Sequence, residues 1–196
     1  MHVAATAGQE GAMESVWVEG LEIAYQRVGS GPPLVLLHGG LSDSRTWRRQ
    51  LDALSDAFTV VAWDAPGCGR SSDPPEDFSM ADYTACLAGL IDALSLGRPH
   101  VAGLSFGGGL TIAFYRDYPH IPRTLVPVSA YAGWAGSLPP DEVRARLQLA
   151  LRNAERPVED WIDDFLPTAG PYTAQYHERH KRKQQNPFHH NLLLTP

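Results

Sequence analysis

The residues with the means to do chemistry are concentrated in one stretch, Val101-Ala102-Gly103-Leu104-Ser105-Phe106-Gly107-Gly108-Gly109. A serine hydroxyl is a poor nucleophile. One that attacks a carbonyl must stand clear of its surroundings, beside a base, with backbone N–H groups aimed at the oxyanion that forms. A Gly-x-Ser-x-Gly turn between a short apolar strand and a helix meets part of that demand. The sharp turn lifts Ser105 off the sheet, while Gly103 and Gly107 let neighbouring backbone pass close to it. A helix opening at Phe106 brings the positive end of its dipole near the developing charge. The plain alternative, a glycine-rich turn that holds a serine by chance, is weakened by the placement of the pattern between strand and helix.

Two further turns carry polar residues at comparable places. The apolar run Leu34-Val35-Leu36-Leu37 ends in His38-Gly39-Gly40. A His-Gly-Gly turn at the carboxyl end of a central strand is suited to present a second oxyanion donor, which makes the backbone N–H groups of Gly40 and Phe106 the candidate pair. His38 reads as a brace that holds this loop by hydrogen bonds rather than as a base. The run Phe58–Trp63 ends in Asp64-Ala65-Pro66-Gly67-Cys68-Gly69-Arg70-Ser71, a tight, irregular turn. Asp64 and Arg70 are spaced to hold it by an ion pair or hydrogen bonds, and its role is structural, beneath the serine turn. Cys68 has no base near it in sequence and reads as structural.

These turns need a sheet to position them. Residues 15–19 and 21–28 alternate apolar and polar about Gly20, the pattern of an edge hairpin. Unbroken apolar runs at 34–37 and 58–63 read as parallel strands buried on both faces. A helix runs through Trp47 and Leu51 to Leu54, with Ser42, Asp43 or Ser44 as its cap. Another covers 80–94, with Leu87, Leu90, Ile91 and Leu94 on one face, and is stopped by Gly97 and Pro99. His100 opens the strand before the serine, far from its chemical end, and reads as a satisfied surface residue. The helix after the serine ends near Tyr118, and 123–129 form a further strand in which Pro127 hints at a bulge or a distorted end. Strand and helix in alternation predict an α/β protein with a mostly parallel, doubly wound sheet and its site at the carboxyl strand ends. A helix from Asp141 through Leu151 and a second over 158–166 would form a lid with the apolar walls of a small-molecule pocket.

Composition sets outer limits. The 196 residues suit one domain, and a net charge of −6 points away from a nucleic-acid surface. The two cysteines, Cys68 and Cys86, fit neither a metal site nor a disulfide scaffold. No membrane span and no leader pattern is legible, so a cytoplasmic protein without cofactor or metal is the expectation. Residues 1–14 are small and polar and read as disordered.

With His38-Gly39-Gly40, Asp64–Ser71 and Gly103-Leu-Ser-Phe-Gly-Gly108 in this order and at these intervals, the chain resembles the α/β-hydrolase superfamily in its serine-nucleophile, lidded branch. The resemblance covers residues 15–166. It implies a core with the N-terminal six strands over 15–135, a partial helical lid over 136–168, and relatives that are esterases, lactonases, carbon–carbon hydrolases and peptidases. Ser105 sets the chain apart from the dehalogenase and epoxide hydrolase branches, which carry aspartate at that place. The family would next supply two strands, an acidic residue and a catalytic histidine, but no apolar strands follow Leu166. Residues 169–196 instead form a basic, His-rich tail that holds both lysines of the protein, Lys181 and Lys183. That tail reads as foreign to the fold and disordered. Its histidines, His177, His180, His189 and His190, have no carboxylate or cysteine spaced to complete a metal site.

Three outcomes follow. The chain is a serine hydrolase acting on an ester-like or related carbonyl, with acid and base elsewhere. Alternatively it is a remnant unable to deprotonate Ser105. A third reading is a partner-binding module whose strand at 124–129, left as a sheet edge, drives self-association.

Overall fold

The structure, a computed structural model, describes residues 12–40, 42–130, 138–154, 156 and 160. The chain opens with β1 (Met13–Val18) and β2 (Leu21–Val28), an antiparallel hairpin. Its two-residue loop has positive φ at both Glu19 (49°) and Gly20 (78°), the mirror-image turn whose twist matches that of the strands. β1 begins two residues earlier than the alternation suggests, because Glu14 is drawn in by the Tyr25 hydroxyl, 3.1 Å away. β3 (Pro33–Leu37), β4 (Thr59–Trp63), β5 (His100–Leu104) and β6 (Thr124–Val128) supply the parallel part. Every residue of β4 is buried, as a strand covered on both faces requires.

The six strands lie in the order β1-β2-β4-β3-β5-β6, with β2 antiparallel to β4 and all later pairs parallel. The chain therefore moves outward from β3 to β4, crosses back over β3 to β5, and continues the other way to β6. Right-handed crossovers then place α1 (Arg48–Leu54) on one face and α2 (Met80–Ala93) with α3 (Phe106–Asp117) on the other. The α1 face packs Leu34, Leu36, Val60 and Ala62 against Trp47 and Leu51. By strand alternation Val35, Leu37, Val61, Trp63 and Val101, all buried, face α2 and α3. Gly89 lets α2 lie directly on β1: a Cβ there would stand 2.3 Å from Val18 Cγ1. Thr84 Oγ1 fastens α2 to α3 by donating to Asp117 Oδ2 at 2.9 Å.

Two local expectations are refined. The segment before α1 is a 3₁₀ turn, Ser44–Trp47, capped by Asp43, whose Oδ1 accepts from Arg45 N–H at 3.0 Å. Pro127 makes no bulge, since β5 and β6 pair one to one from His100↔Thr124 to Leu104↔Val128. Ser105 N–H donates to Val128 O, so the polar backbone groups of Val128 face β5 and, by alternation, those of Pro127 face the open side of the sheet. The missing donor of proline thus falls where no strand partner stands among the described residues, and the distortion comes two residues later, at Ser129, with φ of 49°.

The described residues divide into two compact units, the sheet with α1 to α3, and Pro75–Asp77 with α4 (Pro140–Ala154). The helix expected from Asp141 is α4; its exposed Arg146 pairs with Glu142 at 2.9 Å. The second lid helix and the tail lie outside the described residues.

Candidate active site

Strand order locates the site before any side chain is considered. β3 leads away in one direction and β5 in the other, so the loops leaving their carboxyl ends diverge and open a crevice, the usual ligand position in a doubly wound sheet. The first loop carries His38-Gly39-Gly40 and the second Ser105.

Ser105 is exposed and sits at φ 52°, ψ −111°, a conformation that costs a non-glycine residue about 1–3 kcal/mol. Close packing enforces it. A Cβ on Gly103 would lie 2.0 Å from Gly107 O, and one on Gly107 would lie 2.3 Å from Leu37 O and 2.6 Å from His38 O. The first turn of α3 is thereby pressed against the ends of β3 and β5. Ser105 N–H donates to Val128 O at 2.9 Å, which ties the serine backbone to β6. The amide of Phe106, at the opening of α3, belongs to the orphan donors of a helix N-terminus.

The loop after β3 closes on this turn. A Cβ on Gly39 would stand 3.6 Å from Ser105 Cβ, and one on Gly40 3.8 Å from Phe106 Cβ. The residues expected to act together are therefore neighbours, Gly40 exposed and Gly39 buried. His38 is buried, its Nε2 accepting from Ala65 N–H at 3.0 Å and its Nδ1 lying 2.7 Å from Gly39 O. An amide only donates and a carbonyl only accepts, so these partners assign the ring its proton on Nδ1. Both ring nitrogens serve the loop.

Asp64, buried at the end of β4, accepts from Ser44 N–H and Arg70 N–H, each at 2.8 Å. The link to Arg70 is thus a backbone hydrogen bond. Gly69, at φ 53°, leaves room for the carboxylate, for a Cβ there would meet Asp64 Oδ2 at 1.9 Å. Ser71 and Ser72 then run beside β2 beyond the end of β4, their hydroxyls accepting from Ala24 N–H at 2.9 Å and Glu22 N–H at 3.0 Å. Cys68 is buried within this loop, and burial pushes the Cys86 thiol up to about 11, so it carries no thiolate near neutrality.

Among the described residues no histidine reaches Ser105. His38 is committed to its loop, His100 holds Thr124 Oγ1 at 2.7 Å at the far end of β5, and His120 is exposed beyond α3. No group of three or more His, Cys, Asp or Glu among the described residues is arranged to hold a metal, and no described helix is long and apolar enough to cross a membrane. Sequence reasoning missed Tyr83, whose ring packs edge-to-face on Phe106 with centroids 5.4 Å apart. Helical periodicity marks it as buried but does not say which aromatic it meets.

Known proteins extend this picture. A family model described as the alpha/beta hydrolase fold matches residues 32–190. A 2-hydroxy-6-oxo-2,4-heptadienoate hydrolase of Pseudomonas putida is 38% identical over 115 residues, covering 57% of this chain and 42% of its own. The dihydrolipoyllysine-residue acetyltransferase component of an acetoin cleaving system from Cupriavidus necator is 37% identical over 175 residues, covering 82% of this chain and 47% of its own. The chain spans from a third to just under half the length of these and other curated relatives. Among solved structures, a hydrolase from Pseudomonas aeruginosa superposes with a TM-score of 0.72 at 25% identity, covering 96% of this chain and 71% of its own. An enol-lactonase from Burkholderia xenovorans, at 23% identity and a TM-score of 0.70 over 91% of this chain and 72% of its own, shares the fold. The sheet, the turn at Ser105 and the family match agree: this chain belongs to the α/β-hydrolase family.

Proposed function

We propose that the chain carries the nucleophile and oxyanion site of a serine hydrolase acting on a small molecule with an ester-like or related carbonyl. Ser105 Oγ attacks the carbonyl carbon and gives its proton to a base. The N–H groups of Gly40 and Phe106 hold the resulting oxyanion, the leaving group departs protonated, and water releases the acyl group from Ser105. The base and its acid partner come from outside the described residues. One observation carries the reading: an exposed serine held in a strained conformation at the switch point of the sheet, with Gly39 and Gly40 packed against it. The similarity to a 2-hydroxy-6-oxo-2,4-heptadienoate hydrolase and to a dihydrolipoyllysine-residue acetyltransferase component supports a substrate that reacts at a carbonyl.

A fluorophosphonate probe tests this directly. Intact mass of the full chain is expected to show one adduct, lost in Ser105→Ala. A folded chain that takes up no probe refutes the hydrolase reading for this polypeptide and favours the second one, a non-catalytic or partner-binding chain. That second reading has its own support in β6, which has β5 as its one strand neighbour among the described residues and carries Val126 at 49% and Val128 at 40% exposure, and through which copies would associate.

A further inference from the structure

The hydrogen bond from Ser105 N–H to Val128 O, at 2.9 Å, continues the one-to-one ladder of β5 on β6 past Leu104↔Val128 and so sets Ser105 beside Ser129. The two are alike. Both are exposed serines with left-handed backbone, at φ of 52° and 49°. The chain on either side of Ser129 rests on the first turn of α3, for a Cβ on Gly108 would meet Ala130 Cβ at 2.7 Å and Val128 O at 3.2 Å. The Ser129 hydroxyl makes no hydrogen bond among the described residues. On the other side of Ser105, toward β3, stands Gly39, where an added Cβ would lie 3.6 Å from Ser105 Cβ. The serine proposed as nucleophile is thus flanked by a glycine with no side chain on one side and by a second hydroxyl on the other.

We propose that Ser129 is a specificity-determining residue: its hydroxyl donates to an oxygen borne by the carbon next to the carbonyl that Ser105 attacks, so the site favours substrates with a hydroxyl, ether or keto oxygen at that place. Reach sets the position of that oxygen. Neighbouring strands stand about 4.8 Å apart and a hydroxyl hydrogen bond spans about 2.8 Å, so Ser129 serves atoms close to the reacting carbon and not the far end of a substrate. With the oxyanion drawn toward Gly40 and Phe106 on the β3 side, a substituent of the same carbon falls on the β6 side, over Ser129. Left-handed backbone strains a residue with a Cβ, and glycine would make the same turn without that strain. What serine adds is the hydroxyl, which is bonded to nothing among the described residues and is left for a ligand.

The proposal rests on the hydrolase reading of Ser105, and its test separates the two. Full-length wild type and Ser129→Ala are given p-nitrophenyl methoxyacetate and p-nitrophenyl butyrate, whose acyl groups differ by one oxygen in place of one methylene. The ratio of kcat/KM for the two esters, in which their intrinsic reactivities cancel between variants, should fall roughly 3–10-fold in Ser129→Ala, the loss of one neutral hydrogen bond. An unchanged ratio overturns the proposal, and so does an equal loss on both esters, the mark of a merely structural residue. If Ser129→Ala does not fold, Ser129→Gly removes the hydroxyl while relieving the backbone and is read in the same way. Where wild type hydrolyses neither ester, binding decides. Methoxyacetone and 2-pentanone, matched in the same manner, are titrated by amide nuclear magnetic resonance into Ser105→Ala with and without Ser129→Ala. Methoxyacetone should bind roughly 3–10-fold more tightly, with the preference lost alongside the Ser129 hydroxyl, and the proposal then stands although the hydrolase reading falls. Equal affinities, or saturable binding of neither ketone, overturn it.

Discussion

Replacing Ser105 by glycine should stabilise the protein, whereas alanine at the same place should not. Both changes remove the hydroxyl, which makes no hydrogen bond among the described residues, so Ser105→Ala should alter stability by less than about 0.5 kcal/mol. The two differ in what they do to the backbone. At φ 52°, ψ −111° a residue with a Cβ bears roughly 1–3 kcal/mol of strain, which glycine relieves. Glycine also loosens the unfolded chain, opposing the gain by about 0.4–1 kcal/mol. The net advantage of glycine over alanine is therefore about 0.5–2 kcal/mol. For a chain of this length that corresponds to roughly 2–6 °C in melting temperature. Urea unfolding followed by far-ultraviolet circular dichroism, with thermal melts beside it, measures the difference on two variants that are equally inert to the phosphonate. A glycine variant no more stable than the alanine variant would falsify the claim that the turn stores strain. The geometry of the turn would then be an ordinary resting conformation.

Removing the Asp64 carboxylate with Asp64→Ala leaves the amides of Ser44 and Arg70 without their acceptor and should cost about 2–4 kcal/mol by urea unfolding, a loss under about 1 kcal/mol contradicting the role given to it. The Ser79 hydroxyl and then the Ser79 amide hold the Asp82 carboxyl below its usual range, in a capping box at the start of α2. A depressed carboxyl stabilises fully above its unfolded value of about 4 and loses that contribution as pH falls through the folded value, so Asp82→Ala should cost about 0.5–1 kcal/mol at pH 7 and clearly less near pH 3. Equal losses at both pH values would sink the assignment. Pro127→Thr returns an N–H to the open side of β6 and should raise self-association in sedimentation velocity, whereas an unchanged distribution would show that this edge is not where copies meet.

The serine turn was legible because its pattern is local: Gly103, Ser105 and Gly107 lie within five residues, and the backbone of Gly107 leaves no room for a Cβ at Gly103. The strand alternation was equally plain, as unbroken apolar runs at β3 and β4 admit few other readings. The bracing role of His38 could be read, but its partner could not, since the Ala65 amide reaches it only through the register of β3 on β4, 27 residues apart. Pro127 was informative in part: the strand end is distorted at Ser129, but no bulge forms. A proline within a strand signals trouble only when its nitrogen faces a neighbour, and which way it faces depends on pairing with β5. Tyr83 left no mark in the sequence beyond helical burial, because its meeting with Phe106 is settled by how α2 lies on α3. The stretch after Leu166, where the family would supply its acid and base and where the sequence offers neither of the strands that carry them, lies outside the described residues.

The amide of Ser105 is already committed, to Val128 O, before any substrate arrives. Besides its continuity with β5, the serine turn is thus tied by its backbone to β6, and β6 in turn has one strand neighbour among the described residues, β5. In mechanical terms one of the two mounts of Ser105 is, among the described residues, a beam clamped along one side. Whatever is laid along the other side of β6 would therefore stiffen one of the supports of the serine turn without touching Ser105.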